Sequence, residues 1–370
     1  MSTELPEPDR IEGAPHPRET ETLFGQAHAE AEFLSAFNTG RLHHGWLLTG
    51  PRGVGKATLA WRIARFLLAT PEAQDDGLFG APPPPETLDV TPDHPVSRRL
   101  AALSEPGLFL LRRGPTDKGD KLAADIRVDE VRKLKNFFSL SAADGGRRVV
   151  IVDAADEMNP SSANAILKLL EEPPARTTLL MISHQPARLL PTIRSRCREL
   201  RLAPLGPDAM QAALEQAEAD IAPEQITALN ELSQGSVGAA LRLLNLDGLS
   251  LYSDLVNVMG SLPNLNQPRL LALSDSCAGK GKEARLDLAL TLMDQLTARL
   301  ARTGVTGHPP QEAAPGETQT LMRLAPTPAT GRFWATKAQQ AGDRARHARS
   351  VNVDPAALMT DLFLQLAKSD

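Results

Sequence analysis

Residues 50–60 read GPRGVGKATLA. Gly50, Gly53 and Gly55 let the backbone turn so that several N–H groups point at one phosphate, at the positive end of the helix that follows. Lys56 is placed to reach the terminal phosphates. Hydrolysis needs more than this cradle. Mg²⁺ is normally held by a hydroxyl directly after the lysine and by an aspartate ending a neighbouring strand. Here the first position is Ala57, with Thr58 one residue late and directed to another side of the helix. Asp153, the last residue of VVIVD, supplies the aspartate. The glutamate that activates water in such ATPases would follow it, and Ala154 stands there instead. Asp156 and Glu157 lie close in sequence but are rotated out of position on the path from strand to loop. Two catalytic groups are thus missing from two separate segments. The loop reads as a vestigial or weak nucleotide site built from Gly50, Gly53, Gly55, Lys56, Thr58 and Asp153, with ATP and Mg²⁺ as its weakly held ligands.

The elements that must position these groups follow from periodicity. HHGWLLTG reads as a buried strand entering the loop, and ATLAWRIARFLLA places Leu59, Ile63, Phe66 and Leu67 at helical spacing behind it. GLFLLRR (107–113), RRVVIVDA (147–154), TTLLMIS (177–183) and RELRLAP (198–204) are further strands, the second a continuous apolar run of the kind buried in a parallel sheet. Helices are expected over 25–40, 128–140 and 161–172. The last is capped by Ser161 or Ser162 and stopped by Pro173 and Pro174. Strands alternating with helices predict an α/β domain with a doubly wound parallel sheet. After Gly206 the pattern is helical, with a Gly235-Ser236 turn. Leu286, Ala289, Met293, Leu296 and Leu300 lie on one helix face, and residues 304–319 form a loop. Asp354 and Pro355 open a last helix that buries Leu358, Met359, Leu362 and Leu366.

The expected organisation is a disordered leader over 1–18, a P-loop domain over 19–205, a helical lid over 206–250 and an all-α collar over 251–370. Residues 70–106, with PPPPE at 82–86, read as an irregular insertion. A net charge of −5 over 370 residues gives no global attraction to nucleic acid. Cys197 and Cys277 are the only cysteines, which excludes a four-cysteine zinc site and argues against a disulfide framework. The acidic, proline-rich start lacks the apolar core of a signal peptide, and no run approaches the roughly 20 apolar residues of a membrane span. A cytoplasmic protein is expected.

HHGWLLTGPRGVGKATLA, VVIVDAADEMNPSSANAILKLLEEPP and ARLLPTIRSRC, in this order, resemble the clamp-loader proteins of bacterial DNA polymerase III, and among them the delta-prime rather than the gamma/tau subunits. The resemblance is strong over about 20–205 and extends in layout to VNVDPAALMTDLFLQL. NAILKLLEEPP followed by SRC is its most specific part. It implies an AAA+ module, a small lid and a helical collar that joins gamma/tau, delta and delta-prime subunits in a hetero-pentameric ring. Such a ring places a sliding clamp on primed DNA. It further implies that Arg196, the arginine of the SRC tripeptide, acts as a finger on ATP bound by a neighbouring subunit. Lys168 becomes a candidate DNA-phosphate contact on a helix that faces the ring's channel.

Three departures qualify the resemblance. GSVGAAL carries Gly238 where gamma-type subunits have a lid arginine. Residues 70–106 lack the four cysteines of the family's zinc module. Ser183-His184 stands where the family has a polar phosphate sensor, and His184 is expected at the surface. The reading that follows is a non-hydrolysing clamp-loader subunit without metal. Its alternatives are an active gamma/tau-like AAA+ ATPase and an ATP-binding switch that does not hydrolyse. Ala57, Ala154 and Gly238 disfavour the first, while Gly55, Lys56 and Asp153 keep the second open.

Overall fold

The structure, a computed structural model, describes residues 7–11, 13–70, 83–116, 118–119, 121–140, 146–351 and 353–367. It divides into two compact units, residues 1–218 with 235–238, and residues 219–234 with 239–370.

In the first unit the elements run α1 (Ala27–Asn38), β1 (Gly45–Thr49), α2 (Lys56–Ala69), α3 (Pro95–Ala101), β2 (Leu108–Arg112), α4 (Val128–Leu140), β3 (Arg148–Asp153), α5 (Pro160–Glu171), β4 (Thr177–Ile182), α6 (Pro191–Arg194), β5 (Arg198–Arg201) and α7 (Pro207–Gln216). The five strands form one parallel sheet in the order β2-β3-β4-β1-β5. β1 and β4 are buried along their whole length, and so are Val149–Val152 of β3. That is why these segments read as unbroken apolar runs rather than alternating ones. The register pairs Leu47 with Met181, Val150 with Leu179 and Arg112 with Asp153. It brings the ends of β3, β4 and β1 side by side, the rim where parallel α/β sheets carry their sites.

Behind β1, α2 is buried from Leu59 through Leu67. Two arginines within that stretch are matched by partners: Arg62 pairs with Glu30 at 2.7 Å and Asp89 at 2.8 Å, and Arg65 donates to the Arg18 carbonyl at 2.7 Å. α5 begins one step earlier than expected. Its cap is Asn159, whose Oδ1 accepts from the Ser162 backbone N–H at 2.9 Å, with Pro160 in the first turn. Ser162 is instead fully buried and donates to the Ile126 carbonyl at 2.6 Å.

Two expectations about irregular segments are corrected. The leader was expected to be disordered over 1–18. Residues 1–6 and 12 lie outside the described residues, but 7–11 and 13–18 are held by charge pairs. Asp9 meets Arg112 at 2.5 Å and His16 at 3.2 Å, and Glu7 meets Arg18 at 2.6 Å. His16 is fully buried, edge-on to Trp61. In the stretch 70–106, residues 71–82 lie outside the described residues. The rest is not irregular throughout, since α3 buries Val96 and Leu100 and is capped by His94, whose Nδ1 accepts from Val96 N–H at 3.2 Å.

The described part of the second unit is helical: α8 (Ile226–Ser233), α9 (Val237–Asn245, entered from the first unit), α10 (Gly248–Gly260), α11 (Gln267–Ser276), α12 (Glu283–Thr306), α13 (Glu317–Leu324), α14 (Pro328–Ser350) and α15 (Pro355–Ala367). The division between the units therefore runs through the stretch 206–250 expected as a lid. Leu286, Ala289, Met293, Leu296 and Leu300 of α12 are all buried, as their spacing predicts, and so are Leu358, Met359, Leu362 and Leu366 of α15. α12 and α14 cross where Gly304 meets Gly331; a methyl on Gly304 would lie 2.6 Å from the Gly331 Cα. A buried carboxylate, Glu317, accepts from Tyr252 Oη and Arg299 Nε, both at 2.6 Å, and from Ala313 N–H at 2.7 Å.

Candidate functional site

The glycine loop leaves β1 at Thr49 and enters α2 at Lys56, with Gly50, Gly53 and Gly55 all at positive φ (137°, 80° and 99°). The geometry demands glycine twice over, because a side chain on Gly50 would run into the Leu202 carbonyl and one on Gly53 into Ser236. The sequence-predicted cradle is therefore present in backbone shape.

Its lysine is turned inward. Lys56 is 3% exposed, and its Nζ donates to the carbonyls of Gly50, at 2.7 Å, and Pro51. Burial pushes the ammonium down to about 8, against the pull of Asp153 and Asp156 and with added repulsion from Arg52. Across the cleft, desolvation pushes the Asp153 carboxyl up to about 7; Asp9 and Glu157 add to the rise, and Lys56 and Arg52 oppose it. Ala57 and Thr58 are half-buried on the first turn of α2, and Ala154 is buried.

His184 is corrected from its expected surface position. It is half-buried, with Nδ1 enclosed and without a hydrogen-bond partner among the described residues. Burial drives its imidazole down to about 4, and Lys56 and Arg52 push the same way. Asp156, set aside in the sequence as out of position, holds this corner together. It accepts from Ser183 Oγ at 2.7 Å, from His184 N–H and from Gln185 N–H at 3.2 Å. Gly238 closes the other side. Its N–H donates to the Gly53 carbonyl at 3.1 Å, and a Cβ there would lie 2.8 Å from Ile11 Cδ1 and 3.0 Å from Gly53 Cα. A side chain at this position would have to push Ile11 Cδ1 aside and move the Gly53 backbone by a few tenths of an ångström.

These residues do not fit Mg²⁺·ATP. One metal ligand is an alanine, the aspartate is held toward its protonated form, and the lysine is satisfied by its own loop.

Arg196 lies apart from that cleft, on the turn between α6 and β5. Its side chain is 37% exposed; Nη2 pairs with Glu171 of α5 at 3.0 Å and Nη1 donates to the Thr192 carbonyl at 3.1 Å. Its neighbour Arg198 is tied elsewhere, to Glu32 at 3.0 Å and over the Trp46 ring at 5.0 Å. Arg196 and Arg198 are thus held by different partners on different elements. Lys168 is exposed on α5, one turn before Glu171. Glu171, Asp156 and Asp9 carried no signal that sequence reasoning used. For Glu171 the signal was its place at the end of α5, one turn from Lys168.

A parallel β2-β3-β4-β1-β5 sheet with a glycine loop leaving β1 and an aspartate ending β3 defines a P-loop domain of the AAA+ class. Residues 25–206 match the family described as DNA polymerase III, delta subunit. The chain is 37% identical to DNA polymerase III subunit delta′ of Pseudomonas aeruginosa, over 62% of this chain and 63% of that one. It is 30% identical to the subunit delta′ of Escherichia coli, over 74% and 76%. DNA polymerase III subunit gamma/tau of Mycobacterium bovis is 31% identical over 52% of this chain but only 30% of its own length. The chain belongs to the DNA polymerase III subunit delta′ family.

Proposed function

We propose that this protein is a clamp-loader subunit of the DNA polymerase III holoenzyme that does not itself hydrolyse ATP. It sits beside gamma/tau and delta subunits in a five-membered ring and presents Arg196 to ATP held by its neighbour. The ring, rather than this chain alone, opens the sliding clamp and places it on primed DNA, with Lys168 as a phosphate contact. Nucleotide binding at the chain's own loop is weak, and zinc has no part in it, since two cysteines cannot fill a tetrahedral structural site. The work is done in the cytoplasm; among the described residues no helix is long and apolar enough to cross a membrane.

The observation that carries this reading is a contrast within one domain. Lys56 is turned onto its own loop, while the Arg196 guanidinium is accessible at a turn outside that cleft. A guanidinium has fixed donor geometry and permanent charge, which suits it to a transferring phosphoryl group supplied in trans. A gamma/tau-like motor is disfavoured by Ala57, Ala154 and the packed Gly238.

Reconstitution with the cognate subunits tests it. Arg196→Ala is expected to leave complex formation by gel filtration intact, because a partly exposed arginine contributes little to folding. The neighbouring site should then lose about 10³–10⁵ of its hydrolysis rate, as arginine fingers do in related phosphoryl transfer. Other sites continue, so clamp loading is the more sensitive readout. Arg196→Lys is expected to be nearly as damaging, because an ammonium lacks the planar fork. Wild-type loading by a fully formed Arg196→Ala complex would reduce the protein to scaffold.

A further inference from the structure

Arg196 is already engaged within its own chain. Glu171 holds one end of the guanidinium at 3.0 Å and the Thr192 carbonyl the other at 3.1 Å. Glu171 is the last residue of α5, where the outward-facing carbonyls of the helix end add partial negative charge and strengthen the hold on a cation. We propose that Glu171 is a positioning residue that withholds Arg196 from the neighbouring nucleotide until the ring engages DNA. This rests on the reading of Arg196 given above.

The surroundings make such a hold reversible. Both side chains are partly open to water, Glu171 at 50% and Arg196 at 37%, so the pair is weak enough to be exchanged for a phosphoryl group. Phosphate oxygens offer the guanidinium a bidentate partner of higher charge. A carboxylate left beside that group would be repelled by it, so contact with the neighbour's nucleotide requires separation from Glu171. α5 is also mechanically joined to the turn that bears Arg196. A Cβ on Gly45 would find Leu170 Cδ2 at 2.9 Å, the Arg196 carbonyl at 3.3 Å and Cys197 Sγ at 3.4 Å. The Leu170 carbonyl is in turn bonded by His44 Nε2 at 2.9 Å. Lys168 projects into solvent one turn earlier on the same helix, so a polyanion drawn to α5 arrives next to the pair.

The experiment compares the reconstituted loader carrying wild type, Glu171→Gln, Glu171→Asp, Arg196→Ala and the Glu171→Gln/Arg196→Ala double variant, each with and without primed DNA. Glu171→Gln should raise DNA-independent hydrolysis about two- to fivefold, the effect an exposed ion pair commands, and so lower the stimulation by DNA. Glu171→Asp, which keeps the charge, should restore most of the DNA dependence. The double variant should fall to the Arg196→Ala rate, because the gain acts only through that arginine. Unchanged DNA dependence in Glu171→Gln, or a loss of rate with and without DNA alike, overturns the proposal. Arg196→Ala at wild-type rate would instead overturn the reading beneath it, so the two failures are told apart.

Discussion

Lys56 Nζ and the Gly50 carbonyl, 2.7 Å apart, close the glycine loop on itself. The same ammonium also donates to Pro51, so the group that should meet a nucleotide's terminal phosphates is occupied by its own backbone. Ser236 Oγ fixes the loop from outside, donating to the Arg52 carbonyl at 2.8 Å. The loop's shape is itself a packing solution between β1, α2 and residues 235–238.

The isolated chain is therefore expected to show no ATP turnover and to bind ATP more weakly than about 0.1 mM, less than about 5.5 kcal/mol of affinity. Steady-state phosphate release and calorimetric titration check it. Turnover abolished by Lys56→Ala would refute it, since a contaminating ATPase would ignore that substitution.

Asp153 makes the cleft pH-dependent. Its folded carboxyl titrates at about 7, above the ordinary value of 3.8, chiefly through burial. The folded state therefore keeps a proton that the unfolded chain has released between those values, and stability falls as pH rises through this window. Asp153→Asn removes the buried charge. It should stabilise the chain by about 2 kcal/mol at pH 7.5, less than the full shift converts to because Asp153 is not fully shut off from water, which screens part of the charge. The gain should fade toward pH 4, where the aspartate is protonated in the folded state anyway. Urea melts of both proteins at the two pH values check this; an equal gain at both would remove the charge explanation.

The sheet was readable because its buried strands are continuous apolar segments, and the periodicity of 128–140 places α4 at its observed limits. What sequence reasoning missed depends on partners distant in the chain. Gly238 looks like a lost arginine, yet Gly53 and Ile11 lie so close that a side chain there would have to push them aside. Glu7, Pro8 and Asp9 have the composition of a disordered segment. They are held by Arg18 and Arg112, the latter at the end of β2 beside Asp153. Arg196 was found through a tripeptide, but its partner Glu171 belongs to another element, and nothing in the linear pattern joins them.

Asn159 is the nearer miss, since Pro160 after it is the ordinary signal of a helix's first position. With Asn159 Oδ1 accepting from the backbone N–H of Ser162 at 2.9 Å, Asn159→Ala should cost about 1 kcal/mol. Ser161→Ala should cost nothing measurable, because Ser161 is exposed. Chemical denaturation of both variants checks the assignment, and a larger loss for Ser161→Ala would return the cap to the serines.

The Asp9 side chain is 2% exposed and His16 fully buried, and Arg112 pairs with both Asp9 and Glu7. Burial alone would raise the Asp9 carboxyl, but His16 and Arg112 more than offset it, and the net shift is downward. A depressed folded value means that the contribution is present above the unfolded value near 4 and is lost as pH falls through the folded one. Asp9→Ala leaves Arg112 with one carboxylate fewer and the buried His16 without its closest acidic partner. Breaking a buried pair in this way costs about 3–5 kcal/mol. Partial exposure of Arg112 and the remaining contact to Glu7 put the expected loss near the lower end. Urea unfolding at pH 7 should show that loss, and the gap between variant and wild type should narrow as pH falls below the unfolded value near 4. A truncation beginning at residue 15 should reproduce the neutral-pH loss while leaving the far-ultraviolet helical signal unchanged. If both variants unfold at the wild-type urea midpoint at pH 7, the leader does not hold to β2 and α2, and its ion pairs do not persist in solution.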